Sequence, residues 1–311
     1  MVKVTEIESY KEYGKCVSIS NGVIEAYVTV DVGPRIIKFG YKDGQNFMND
    51  NRTDLGAKPY DKVYMDLFGE NRRWENMGGH RIWLSPESYP ETYTPDDKPV
   101  AYEVTENGAV FTPCEDTPIG VQKTLEIKMD ADDTNMQVIM QVKNVSAAPK
   151  EFAVWALSVC AKGGTLIVPT NTNDTGLLPN RKMSIWPYTD MTDDRLYFGK
   201  KYVTLRQDET ASGPAKLGFD LNGGTAYYVL GDEILCKKYD TNHPDGVYPD
   251  GGCSFETYDC AKMIEFETLG ELKKVGSGQT SELIELWSLC NKPCDVDFKN
   301  DESIDNLLAK I

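Results

Sequence analysis

Along most of the chain, apolar and polar residues alternate singly. In KTLEIKMD (123–130), Leu125, Ile127 and Met129 fall on one side and Thr124, Glu126 and Lys128 on the other. Met136, Val138, Met140 and Val142 repeat the pattern in NMQVIMQVKN. A strand turns successive side chains to opposite faces, so this period of two predicts strands with one buried face. The intervening DADDT has turn chemistry, and the two segments read as a long hairpin. The same reasoning predicts strands at 17–19, 24–30 and 35–39, separated by SNG and DVGP. Further strands are expected at 101–104, 109–112, 152–159, 165–168, 226–230, 234–238, 254–258, 263–268 and 281–289. One amphipathic helix is expected at the C-terminus, where Ile304, Leu307, Leu308 and Ile311 keep helical spacing after Asp301.

Stretches 41–61, 84–99, 169–194 and 239–252 are rich in Asp, Asn, Pro, Gly and Tyr and read as long loops over one sheet face. No repeat of 20–50 residues is evident and no low-complexity linker divides the chain. The expectation is a single all-β domain over residues 1–311, a large antiparallel β-sandwich with a short C-terminal helix.

Charge narrows the partners. Thirty-three Lys and Arg against 49 Asp and Glu give a formal net charge of −16, which disfavours nucleic acid and anionic membrane surfaces, both polyanions. No apolar run of membrane-spanning length occurs, and the start, MVKVTEIESYKEYGK, lacks the apolar core of a signal peptide. A soluble cytoplasmic protein, monomeric or weakly dimeric, is expected. The eight cysteines are spread thinly and read as reduced thiols. A zinc site at CNKPC (290–294) fits no standard spacing, and the sequons at Asn51, Asn144 and Asn173 are chance matches without secretion. His80 and His243 are the only histidines, too few for a three-histidine zinc centre. H-E-x-x-H, G-x-S-x-G, P-loop, G-x-G-x-x-G and D-x-D-x-D-G patterns are all missing, so neither a metal nor a cofactor is expected.

Carboxylates, arginines, aromatics and imidazoles remain. NRRWENMGGHRIWLSPE (71–87) gathers Arg72, Arg73, Trp74, Glu75, His80, Arg81, Trp83 and Glu87. Gly78 and Gly79 allow a tight turn beside His80, a candidate for proton transfer near neutral pH. Guanidinium forks and indole faces together suit a sugar, whose hydroxyls need hydrogen bonds and whose C–H faces stack on rings. The competing reading makes Trp74 and Trp83 core anchors and the arginines a surface ion-pair set. In YPDGGCSFETYDC (248–260), Glu256 and Tyr258 alternate with Phe255 and Thr257, so Glu256 projects from a strand as a general base would. Glu265 and Glu267 alternate in the same manner. His243, in TNHPDG, reads as a solvated loop residue and Arg35 as a strand-end charge. Trp155, in EFAVWALSV, reads as half core and half cleft wall.

These segments resemble, in order along the chain, the galactose mutarotase-like (aldose 1-epimerase) superfamily. DVGPRIIKFG looks like its early strand, GGHRIW like its histidine turn, and GGCSFET like the late strand with the catalytic glutamate. GGHRIWLSPE with YPDGGCSFETY looks closest to a branch known as a domain of unknown function. The resemblance implies a β-supersandwich with a sugar-binding cleft and Glu256 as general base, His80 serving as acid or sugar ligand. Arg72, Arg73, Arg81, Trp83, Trp155, Tyr258 and His243 would contact the sugar, which the arginines could favour in phosphorylated or acidic form. The chain departs from the family in KNVSAAPKEFAVWALS, where the second histidine is missing and Trp155 or its neighbours take its place. Two alternatives therefore stand: a non-catalytic sugar-binding protein, or a polysaccharide lyase or glycoside hydrolase using Glu87 with Glu256 as paired carboxylates.

Overall fold

The computed structural model describes residues 1–58, 61–221, 223–241, 245–291 and 295–311. The alternating segments form two antiparallel sheets. The first runs, in spatial order, Lys3–Ile7, Cys16–Ser20, Ile24–Thr29, Ile36–Tyr41, Gly79–Ser85, Lys150–Cys160, Met263–Leu269, Phe255–Cys260, Ala215–Phe219 and Met183–Ile185. Lys273–Val275 pairs with Lys150–Cys160 beside this path. The second sheet runs Leu196–Phe198, Tyr202–Arg206, Thr165–Pro169, Thr225–Leu230, Glu233–Tyr239 and Thr280–Asn291. It continues through Asn135–Asn144, Val121–Met129, Gly108–Pro113 and Val100–Thr105. The expected hairpin is present, with Leu125 opposite Met140 and Ile127 opposite Val138.

Six short strands lie outside the expected set. Lys3–Ile7, Leu196–Phe198, Tyr202–Arg206, Ala215–Phe219 and Lys273–Val275 have three to five residues each, and Met183–Ile185 lies inside a stretch expected to be loop. A second α-helix, Lys62–Phe68, also escapes the periodicity. Asp61 caps it by accepting from Tyr64 N at 2.9 Å, and it buries Tyr64 and Phe68, one turn apart. The C-terminal helix is Asp301–Leu308. Asn300 caps it, and Ile304 and Leu307 pack on Ile167, Val229 and Ile234 of the second sheet. Ile311 falls beyond the helix and is exposed. Among the described residues no helix is long and apolar enough to cross a membrane.

Between the sheets the apolar core holds an ionic cluster. Lys237, fully buried, donates to Ser158 Oγ at 2.6 Å and lies 3.5 Å from Glu285 Oε2. Glu285 also accepts from Thr268 Oγ1 and Trp287 Nε1, each at 2.5 Å. The ammonium sits 4.4 Å from the Trp287 ring centre and 4.6 Å from that of Phe266. A buried ion pair adds little stability over apolar packing, but breaking one side of it strands a charge. Lys237→Met is therefore expected to cost about 3–5 kcal/mol in chemical denaturation. Lys237→Met with Glu285→Gln is expected to recover at least half of that loss; a loss in the double variant equal to the sum of the two single losses would show that the pair is not coupled.

Candidate functional site

The first sheet turns its other face to a cleft, and strand register decides what stands there. Arg81 lies opposite Leu157, Leu157 opposite Glu267, and Glu267 opposite Glu256. Next to this row Trp83 faces Trp155, and on the other side Tyr258 faces Lys216. Segments far apart in sequence thereby contribute to one surface. The cleft measures about 480 Å³ and is lined by Arg81, Leu157 and Glu265 with Trp74, Trp83, Trp155, Tyr93, Tyr188 and Tyr258. Lys58, Glu87 and Lys216 also line it. The Lys62–Phe68 helix braces one wall, since Tyr64 Oη donates to the Tyr93 carbonyl at 2.9 Å.

Arg81 is held on two sides. Its Nη2 donates to Glu265 Oε1 at 3.0 Å, and its guanidinium carbon stands 4.2 Å from the Trp83 ring centre and 5.9 Å from that of Trp74. Such stacking fixes a planar cation and keeps it apart from water. Arg81 Nε and Nη1 and the indole Nε1 atoms of Trp74 and Trp83 are buried with no acceptor. A buried donor left unpaired costs about 1–3 kcal/mol, so oxygen acceptors brought by a ligand would satisfy groups that the protein's own atoms leave unpaired.

Lys216 is caged in a second cluster. Its Nζ lies 4.8 Å from the Trp155 ring centre and 4.7 Å from that of Trp186. Glu256 Oε2 is 2.9 Å away and Glu267 Oε2 3.7 Å, and Glu267 also accepts from Trp155 Nε1 at 2.9 Å. Burial opposes the charge on Lys216, but the carboxyls of Glu267 and Glu256 outweigh it and hold the ammonium above the usual lysine range. Burial pushes Glu256 up to about 9 against the pull of Lys216, and Glu267 up to about 7. Gly218, opposite Glu256, makes room for this packing: a Cβ there would meet Cys253 Sγ at 2.5 Å and a Trp186 ring carbon at 3.3 Å.

Several expected site residues stand elsewhere. His80 neighbours Arg81 in sequence and therefore points to the opposite face of the sheet. It is fully buried between the sheets, with Nδ1 2.8 Å from Ser158 Oγ, Nε2 3.2 Å from Met140 Sδ and its ring 5.0 Å from Trp287. Burial and the nearby Lys237 hold its pKa well below the ordinary imidazole value. It reaches neither the cleft nor Glu256. Glu256 is on the cleft side but fully buried beneath Lys216, outside the cleft lining, so the pair Glu87–Glu256 is not formed across open space. Arg72 bonds Asp97 and Arg73 bonds Glu75; neither lines the cleft. Arg35 is a fully buried cation paired with Asp96 at 3.1 Å, rather than an exposed strand-end charge. His243 and Cys294 lie outside the described residues. The Gly78–Gly79 turn, positive in φ at both residues, serves close packing of backbone on backbone. A Cβ on Gly78 would meet Asn49 O at 2.1 Å, and one on Gly79 would meet Ile36 O at 2.5 Å. Trp83, Trp155, Tyr258, Arg81 and Glu87 do meet in the cleft. Lys58, Lys216 and Tyr188 were missed; for Lys216 the signal was the alternation of Ala215, Leu217 and Phe219 around it. Among the described residues no three His, Cys, Asp or Glu side chains are grouped to hold a metal, and the described cysteines are free thiols.

The raised carboxyls link the cleft to stability. A carboxyl whose folded pKa exceeds its unfolded value stabilises below the unfolded pKa, and that contribution is lost as pH rises through the folded one. For Glu267 the loss spans roughly pH 4.5 to 7. Chemical denaturation across this range is expected to show a shallower fall in stability for Glu267→Gln than for the wild type; parallel curves would show that Glu267 is ionised throughout.

No protein-family model matches the sequence, and comparison with curated proteins finds none that matches. Crystal structures do resemble it. A galactose mutarotase-like protein from Clostridium acetobutylicum superposes with a TM-score of 0.53 at 11% identity, covering 93% of this chain and 99% of that one. A second, from Lactobacillus casei ATCC 334, gives 0.52 at 12% identity over 88% of this chain and 100% of its own. The Slr1438 protein of Synechocystis sp. PCC 6803 gives 0.53 at 11% identity over 92% and 95%. At such identities the likeness speaks for architecture alone: the chain has the galactose mutarotase-like sandwich fold.

Proposed function

We propose that this chain is a carbohydrate-binding protein whose ligand sits in the cleft on the Arg81–Trp83 face. One observation carries the reading. Four buried donors without acceptors, on Arg81, Trp74 and Trp83, are set among indole and phenol rings at one concave site. Sugar hydroxyls supply acceptors, and the C–H faces of a pyranose supply a surface for the rings. Glu265, tied to Arg81 and lining the cleft, adds an acceptor for a hydroxyl proton. The mutarotase-like sandwich is consistent with a saccharide ligand.

Anomer interconversion is the second reading, favoured by Glu265 and Lys216 lining the same cleft. Glu265 would take the proton of the anomeric hydroxyl while Lys216 protonated the ring oxygen. The C1–ring oxygen bond would break, and reclosure on the other face of the aldehyde would give the second anomer. An ammonium held above the lysine range gives up its proton reluctantly, which ranks this reading below simple binding. It also replaces the expected Glu256–His80 pair, whose members are on opposite faces of the sheet.

Calorimetric titration with a panel of aldoses and uronic acids tests the first reading. Binding is expected, weakened at least tenfold, about 1.4 kcal/mol, by Trp83→Ala or Arg81→Gln with near-ultraviolet circular dichroism unchanged. Absence of heat with every sugar would overturn it. Polarimetry on freshly dissolved α-anomers is expected to show no rate above buffer; an acceleration abolished by Glu265→Gln would establish the second reading instead.

A further inference from the structure

The cleft does not end at the Arg81 hollow. A second hollow of about 430 Å³ adjoins it and shares Lys58, Glu87, Tyr93, Trp155 and Lys216 as walls. Its own lining adds Ser88, Tyr89, Trp186 and Asp250. A hexopyranose displaces about six waters, roughly 180 Å³ at about 30 Å³ each, so either hollow exceeds one ring. Each also repeats the same chemistry, an indole surface beside charged and hydroxyl groups. Trp83 and Trp155 meet edge to face at 5.5 Å in the first. In the second, Trp186 stands across Lys216 from Trp155, the ammonium 4.7 Å and 4.8 Å from the two ring centres. Lys216 and Trp155 thus stand at the junction, where a ligand running from one hollow into the other would pass its linking oxygen.

We propose that the cleft has two sugar subsites, one at Arg81 and Trp83 and one at Trp186 and Asp250, and that its ligand is a disaccharide or longer glycan. The inference rests on the carbohydrate reading above and extends it from a single ring to a chain. At the first subsite the free donors of Arg81, Trp74 and Trp83 meet acceptors on one ring. At the second, the Asp250 carboxylate and the Ser88 hydroxyl join the shared Glu87 carboxyl and the Lys58 and Lys216 ammoniums in facing the hydroxyls of the next.

Length dependence of binding is the test. Mono-, di- and trisaccharides of gluco, galacto and manno configuration, with glucuronic and galacturonic acid and their dimers, are titrated calorimetrically against the full chain. In the series that binds, the disaccharide is expected to bind at least tenfold more tightly than its monosaccharide. Trp186→Ala is expected to bring that ratio close to one. Asp250→Ala, a smaller change on the second hollow, is expected to lower the ratio severalfold and guards against a Trp186 variant that misfolds. Equal affinity for monosaccharide and disaccharide in the wild type would overturn the second subsite and leave the carbohydrate reading intact. An unchanged ratio in both variants would likewise overturn it. Absence of binding by any sugar of any length would remove the carbohydrate reading and this inference with it.

Discussion

In a pleated strand, consecutive side chains cannot share a face. The rest of this molecule depends on that constraint. On Gly79–Ser85 it sends His80 into the core and Arg81 into the cleft, although the two are joined by one peptide bond. On Lys150–Cys160 it sends Ser158 inward to Lys237 and Leu157 outward to the cleft. On Met263–Leu269 it divides Thr268, which bonds Glu285 between the sheets, from Glu267, which bonds Trp155 on the other side. Two polar clusters therefore exist back to back across one sheet. The inner one, His80–Ser158–Lys237–Glu285, is closed. The outer one, Arg81–Glu265 with Lys216–Glu256–Glu267, borders open space and keeps donors unpaired.

That division explains which parts of the site could be read from the chain and which could not. The long alternating strands, such as Val121–Met129 and Asn135–Asn144, announced themselves because each repeats its period several times. Trp83, Trp155 and Tyr258, from three distant segments of the chain, line one cleft. His80 was drawn into the site because it stands in a dense polar stretch, yet parity alone separates it from Arg81. The alternation of Ile82 with Trp83 already contained that information. Lys216 escaped notice because Ala215–Phe219 has only five residues and follows a turn-like ASGP. Arg72 and Arg73 lie before the strand begins, where parity gives no guidance; there they found Asp97 and Glu75.

The charge of −16 also reads differently with the fold in view. Cations at the cleft, Arg81, Lys216 and Lys58, are each pressed against aromatic rings. Those rings hold the cations in place at low conformational freedom, and burial raises the pKa of the carboxyls beneath Lys216 above that of exposed ones. A rigid, partly desolvated set of donors and acceptors is what recognition of a hydroxyl-rich ligand requires, since an unpaired buried group penalises the wrong orientation.

The five tryptophans report directly on which face is used. Trp74 and Trp83 carry free indole N–H groups at the cleft, whereas the Trp287 N–H is bonded to Glu285 between the sheets. In a ¹⁵N–¹H correlation spectrum of the full chain, adding a bound sugar should shift the Trp74 and Trp83 indole resonances and leave that of Trp287 in place. A shift of Trp287 with Trp74 and Trp83 unmoved would contradict the account, because it would put the ligand on the His80 side of the sheet.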